Sequence, residues 1–221
     1  MDDCGNAAVA DQTISINDTT APTIETEASD LTVECNGAGN TTDLQDWLDN
    51  NGGASATDDC STISWSNNFS TLSDECGATG SATVTFTATD ACGNTATSTA
   101  TFAIIDTTAP IIDTEASDVT IECEDFMGLF NSNGDGSNLS IQEWLDSNGG
   151  AASSDSCGTV TWTNDYTGLS DECGNTGSAV VTFTATDECG NTATTTATYS
   201  VIDTVPPTID TEASELTLEC D

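Results

Sequence analysis

Between Ser81 and Asp90 the chain reads SATVTFTATD, with Ala82, Val84, Phe86 and Ala88 on one parity and threonines on the other. TATSTATFAII (95–105) alternates again, placing Ala96, Ala100, Phe102 and Ile104 together. Period-two alternation of β-branched and aromatic residues predicts strands with one buried face. The intervening ACGN supplies turn residues, so the two form a hairpin. LTVEC (31–35) predicts a shorter strand with Leu31, Val33 and Cys35 inward, and STISW (61–65) another that ends on Trp65. The periodicity changes once. TTDLQDWLDNNGG (41–53) brings Leu44, Trp47 and Leu48 to helical spacing, with Thr at the N-cap and glycine at the stop. SNLSIQEWLDSNGG (137–150) is its counterpart further along.

These elements recur as a block. DTTAPTIETEASDLTVEC begins at Asp18, DTTAPIIDTEASDVTIEC at Asp106 and DTVPPTIDTEASELTLEC at Asp203. Self-similarity at long intervals marks stacked copies of one domain. The expected organisation is a C-terminal strand of a truncated repeat (1–18), two complete repeats (19–106 and 107–203) and the start of a further one (204–221). The chain thus reads as a window on a longer one. Each complete repeat carries four cysteines, Cys35, Cys60, Cys76 and Cys92, then Cys123, Cys157, Cys173 and Cys189. The second repeat is nine residues longer, all between Cys123 and Trp144.

Composition narrows the chemistry. The 221 residues include 38 Asp plus Glu and no Lys, Arg or His. Imidazole bases, Schiff-base amines and guanidinium clamps are absent, which excludes Ser/His/Asp and Cys/His nucleophile systems. Nucleic acid and anionic membrane surfaces are repelled, and no apolar run is long enough to span a bilayer. Cations are attracted. Acidic chains are often disordered, but 36% hydrophobic content in regular alternation predicts a folded one. Ten cysteines without a C-x-x-C pair predict disulfides in an oxidising, extracellular setting.

Several short strands in about 90 residues, with a Trp between cysteines, predict an all-β fold: tandem immunoglobulin-like β-sandwich repeats with one short helix each. The D-T-x-x-P start and the TATD-x-CGNTAT hairpin resemble the hyalin-repeat (HYR) family, an extracellular immunoglobulin-like module. The wording DTTAP…VECNGAGNT…WLDNNGGASATD is similar to the tandem modules of giant Bacteroidetes surface adhesins, including the SprB-type gliding-motility adhesins. The resemblance covers essentially the whole chain and departs from the plain HYR pattern in the added helix and the four cysteines. It implies a secreted, non-catalytic stalk or filament segment on the cell surface. Its partners would be neighbouring repeats of the same chain, and surface polysaccharide or other cells. It implies no nucleic acid and no membrane insertion in this segment. The alternative is a carbohydrate- or ice-binding module, with outward rows such as Thr83, Thr85 and Thr87 as the face; ordinary β-propensity explains those rows as well. A glycosidase built on carboxylate pairs is a further option, against which strict duplication counts.

In such a sandwich the second and sixth strands carry an inter-sheet bridge, which implies Cys35–Cys92 and Cys123–Cys189 and leaves Cys60–Cys76 and Cys157–Cys173. A competing scheme pairs Cys4–Cys35, Cys92–Cys123 and Cys189–Cys220 across the repeat junctions. A long loop closed by one such bond gains roughly 4 kcal/mol in the chain-entropy model.

Oxygen ligands suited to Ca²⁺ collect at the repeat junctions: Asp18 with Glu34, Asp90 and Asn94, and Asp106 with Glu122, Asp187 and Asn191. The same residues read equally well as solvated turn formers. The insertion brings NSNGDGSNLSIQE, in which Asn131, Asn133, Asp135 and Glu143 approximate an EF-hand loop, although Glu143 stands one position late. A turn leading into a helix cap is the other reading. Finally, DTT, DTT and DTV resemble the short acceptor motif of Bacteroidetes O-glycosylation, which implies glycans on Thr19, Thr107 and Thr204.

Overall fold

A computed structural model of the chain describes residues 3–7, 9–123 and 140–218. They divide into two compact units, Met1–Thr107 with Ser156–Gly158, and Thr108–Asp155 with Thr159–Asp221. Each unit is an all-β, immunoglobulin-like sandwich.

In the first unit the strands are β1 (Thr23–Thr26), β2 (Leu31–Glu34), β3 (Ser55–Thr57), β4 (Ser64–Asn67), β5 (Gly80–Thr89) and β6 (Thr95–Ile105), with helix α1 at Thr41–Asp49. One sheet has the order β2-β6-β5-β4 and the other is the pair β1-β3. The β5–β6 hairpin pairs Gly80 with Ile104 and Thr89 with Thr95. Its inward parity is the predicted one: Val84, Phe86, Ala88, Ala100, Phe102 and Ile104 are buried. The helix closes this core with Trp47 and Leu48. Thr41 does not cap it. Asn40 holds the N-cap position, in the left-handed region at φ 47° and without a side-chain bond to the helix N–H groups; its side chain instead accepts from the Asn36 N–H and donates to the Glu34 carbonyl.

The second unit repeats the plan with β7 (Ile111–Thr114), β8 (Val119–Glu122), β9 (Ala152–Ser154), β10 (Thr161–Asn164), β11 (Gly177–Thr186), β12 (Thr192–Ile202) and helix α2 (Ile141–Asp146). Its sheets are β10-β11-β12-β8 and β7-β9. Ser140 caps α2 in a capping box with Glu143. Among the described residues no helix is long and apolar enough to cross a membrane. The described parts of residues 3–22 and 203–218 join no sheet.

One feature of the sheets overturns the expected disulfides. β2 runs parallel to β6, with Leu31 opposite Phe102 and Glu34 opposite Ile105. The Cys35 N–H therefore donates to the Ile105 carbonyl at 2.7 Å, whereas Cys92 sits in the turn before Thr95. The ten residue steps of β6 separate them by about 33 Å, and a disulfide tolerates no more than about 7 Å between Cα atoms. Cys123 and Cys189 stand apart for the same reason, since β8 is parallel to β12. Cys60–Cys76 fails on β5. Cys60 precedes Ser64, which pairs with Thr89 at one end of that strand, and Cys76 precedes Gly80 at the other. Cys157 and Cys173 hold the matching positions around β11. The bond that forms is Cys35–Cys157, with Cα atoms 6.0 Å apart. Cys76 and Cys189 are also disulfide-bonded. Cys60, Cys92, Cys123 and Cys173 are free thiols and Cys35 is taken by Cys157, so Cys157–Cys173 is not formed, nor are Cys4–Cys35 and Cys92–Cys123 of the competing scheme. Cys220, and with it the Cys189–Cys220 pair, involves a residue outside those described.

Candidate cation site

Three carboxylates meet at one end of the first unit: Asp18, Asp58 and Asp90 each offer an oxygen, all within 4.8 Å of one another. Two pairings bring them together. β1 and β3 are antiparallel with Thr23 opposite Thr57, so the segment entering β1 runs beside the residue leaving β3, which is Asp58. Asp90 follows β5 and opens the turn to β6.

That turn is built around the Asp90 side chain. Its Oδ1 accepts from the backbone N–H groups of Cys92 at 2.9 Å and Asn94 at 2.8 Å. Its Oδ2 accepts from the Asn94 side-chain amide at 2.7 Å. Burial pushes the Asp90 acid up, but the side-chain and backbone donors of Asn94, with the Cys92 and Gly93 amides, outweigh it and hold the group below its usual range. Asp90 is therefore a buried carboxylate that stays charged. The Asn94 amide also donates to the Asp18 carbonyl at 3.3 Å, tying the entering segment to the turn. Asp58 Oδ1 accepts from the Cys60 and Ser61 N–H groups at 3.0 and 2.8 Å. Asp18 Oδ1 accepts from the Thr20 N–H at 3.0 Å. Asp18 Oδ2 is buried with no hydrogen-bond partner.

A buried, unpaired carboxylate oxygen beside two further carboxylates is unfavourable unless a cation joins it. No side chain of this protein can be that cation. The donors are hard oxygens, so the set fits a divalent ion of the Ca²⁺ type, with Asp18 Oδ2 and the free lone pairs of Asp58 and Asp90 as ligands. Asn94 acts by holding Asp18 and Asp90 in place.

The second unit repeats the turn. Asp187 accepts from the Cys189 and Asn191 N–H groups at 2.8 and 2.9 Å and from the Asn191 amide at 2.9 Å. Glu34 and Glu122 do not join these clusters. The parallel course of β2 and β8 carries them to the far ends of β6 and β12. There Glu34 accepts from the Thr107 N–H at 2.7 Å and hydroxyl at 3.1 Å, and Glu122 from the Thr204 hydroxyl at 2.6 Å and N–H at 3.1 Å. The Thr204 contacts hold the Glu122 acid below its usual range. Thr19 is exposed. Asp106 is half-buried where β6 gives way to the second unit. Asn131, Asn133 and Asp135 lie outside the described residues. Glu143 is engaged as the helix cap, its carboxylate accepting from the Ser140 N–H at 3.0 Å. Asp58 is a candidate ligand absent from the sequence expectation. Its signal is the acid that recurs just before the second cysteine of each repeat, in DDC (58–60) and DSC (155–157).

No family model and no curated protein matches the chain. Among solved structures it is similar to Drosophila N-cadherin EC1-4, with 9% identity over 83% of this chain and 50% of that one, at a TM-score of 0.33. A protocadherin gammaB7 EC3-6 structure shares 14% identity over 67% of this chain and 43% of that one, at 0.28. A chimeric titin Z1Z2 tandem shares 15% over 82% and 99%, at 0.23. The chain spans about half the length of the cadherin it matches.

Proposed function

We propose that this protein is a structural stalk segment of a large secreted surface adhesin or filament, non-catalytic, whose repeats bind Ca²⁺. The observation that carries the reading is duplication of scaffold together with its acid turn. The two hairpins share one register, Gly80 opposite Ile104 and Gly177 opposite Val201. Trp47 and Trp144 lock their helices through the same bond, to the carbonyls of Ser29 and Ser117 at 3.1 Å. Both Asp–Asn turns are equally built. A catalytic site needs one constellation, whereas a spacer gains length from every copy.

The sequence resemblance supports the finer assignment to HYR-like modules of Bacteroidetes adhesins of the SprB gliding type, with repeat boundaries at 19–106 and 107–203. The same resemblance supports Thr19, Thr107 and Thr204 as O-glycan acceptors, with neighbouring repeats and surface polysaccharide or other cells as partners. The calcium assignment rests on the orphaned Asp18 oxygen.

Antibodies raised against residues 1–221 provide the test. They should label intact, unpermeabilised cells that make the protein, and cells lacking the segment should adhere less while still secreting the remainder. Labelling seen only after permeabilisation overturns the proposal.

A further inference from the structure

The loop Ser156–Gly158 clusters with the first unit, although by repeat position Cys157 is the counterpart of Cys60. It is seated there between two glycine turns. Cys157 is bonded to Cys35, and its carbonyl accepts from the Ala78 N–H at 2.6 Å. A Cβ on Gly77 would meet the Cys157 oxygen at 2.3 Å, and one on Gly37 would meet the Ser156 oxygen at 2.6 Å. Both half-cystines are buried, Cys35 at 7% and Cys157 at 4% exposure. The bond thus joins the first cysteine of one repeat to the second cysteine of the following repeat.

The second unit keeps one of these two glycine turns, at Gly174, while the counterpart of Gly37 is Asp125. Gly174 stands where Gly77 does, at φ +63° against +57°, and among the described residues nothing lies within 4 Å of its Cβ direction. The turn keeps its shape: the Thr79 hydroxyl donates to the Cys76 carbonyl at 2.6 Å and the Thr176 hydroxyl to that of Cys173 at 2.7 Å. Cys123, the counterpart of Cys35, is a half-buried free thiol. In the first unit Cys60 is exposed and free, on a loop already shaped by Asp58, which accepts from the Cys60 and Ser61 N–H groups.

We propose that these are the two halves of a covalent coupler. The Asp58–Ser61 loop of one copy docks against the Cys173–Thr176 turn of a second copy of this chain, and Cys60 bonds to Cys123. The proposal rests on the reading of the chain as a structural repeat. The bond forms by exchange with a small-molecule disulfide such as oxidised glutathione. The Cys123 thiolate attacks it and releases one glutathione thiolate; the Cys60 thiolate then attacks the Cys123 sulfur of the mixed disulfide and releases the second. Two thiols are oxidised and one glutathione disulfide is reduced.

The test uses the full chain with Cys4, Cys92, Cys173 and Cys220 changed to Ser, leaving Cys60 and Cys123 as its free thiols. In a glutathione redox buffer it should form a head-to-tail ladder on non-reducing gels. Glu-C digestion should return Cys60–Cys123 peptides at least tenfold over Cys60–Cys60 and Cys123–Cys123. Adding Cys60→Ser or Cys123→Ser abolishes the ladder, and mixing those two variants gives a dimer alone. Gly174→Asn, which keeps the positive φ but crowds that turn, should slow coupling about tenfold. Symmetric linkages in equal yield, or monomers capped by glutathione, overturn the coupler. Coupling of repeats within one long chain leaves the native monomer mass unchanged, and coupling between molecules multiplies it. Failure here with intact cells labelled overturns the coupler alone; coupling without surface labelling overturns the adhesin reading alone.

Discussion

The Trp47 indole stands edge-on to the Phe86 ring, with centroids 5.2 Å apart and planes at 75°. It also tilts against Phe102 at 5.6 Å and donates its N–H to the Ser29 carbonyl. One side chain thereby joins the helix, the large sheet and the β1–β2 crossover. Trp47→Ala should cost about 3–5 kcal/mol in urea unfolding. Trp47→Phe keeps the ring contact and strands one carbonyl, for about 1–3 kcal/mol. Equal costs would mean that packing contributes little.

Gly52 supports the same ring from below. It lies at φ +64°, and a Cβ there would meet Phe86 Cε2 at 2.9 Å and the Ala28 Cβ at 3.1 Å. Gly52→Ala combines a left-handed backbone cost of about 1–2 kcal/mol with overpacking of about 1–3 kcal/mol. Gly93→Ala, at φ +90° with open space around it, carries the backbone cost alone. Thermal melts should place Gly52→Ala clearly below Gly93→Ala; coincident melts would show that the Phe86 pocket yields freely.

The long strands and the helices were legible because their burial follows a period: β5, β6 and α1 announce their inward residues one by one. The direction of β2 was not. Leu31, Val33 and Cys35 alternate identically whether the strand runs parallel or antiparallel to its neighbour, since the side-chain period is the same in both. From that single ambiguity followed the misplaced cysteine pairs and the misplaced Glu34. Asp18, Asp90 and Asn94 were legible as a turn and a junction. Asp58 joins them only through the β1–β3 pairing, a three-residue contact with a register shift between Ile24 and Thr26, which leaves no periodic trace.

The Asp–Asn turns should make stability depend on pH in a defined direction. Burial raises the Asp187 acid, but the Asn191 side chain and the Asn191, Cys189 and Gly190 amides outweigh it and leave the group below its ordinary 3.8. A carboxylate depressed in the folded state stabilises above its unfolded value, and that contribution is lost as pH falls through the lower folded value. Wild type should melt above Asp187→Asn at pH 7, and the gap should close below pH 3.8. Comparing the two proteins cancels the general relief of acid repulsion. A gap independent of pH would contradict the assignment.

Calcium linkage is the most direct test of a cation-stiffened repeat. Melting temperature should be recorded for the chain in excess Ca²⁺ and in EDTA, at one ionic strength, with Asp18→Asn measured alongside and binding followed by calorimetry. At a free ion concentration of 100 times Kd, one site adds about 2.7 kcal/mol to the folded state. Melting should rise by several degrees in Ca²⁺, and Asp18→Asn should lose one binding site with part of that rise. Identical melting in Ca²⁺ and EDTA, with no binding heat, would contradict the cation-stiffened repeat.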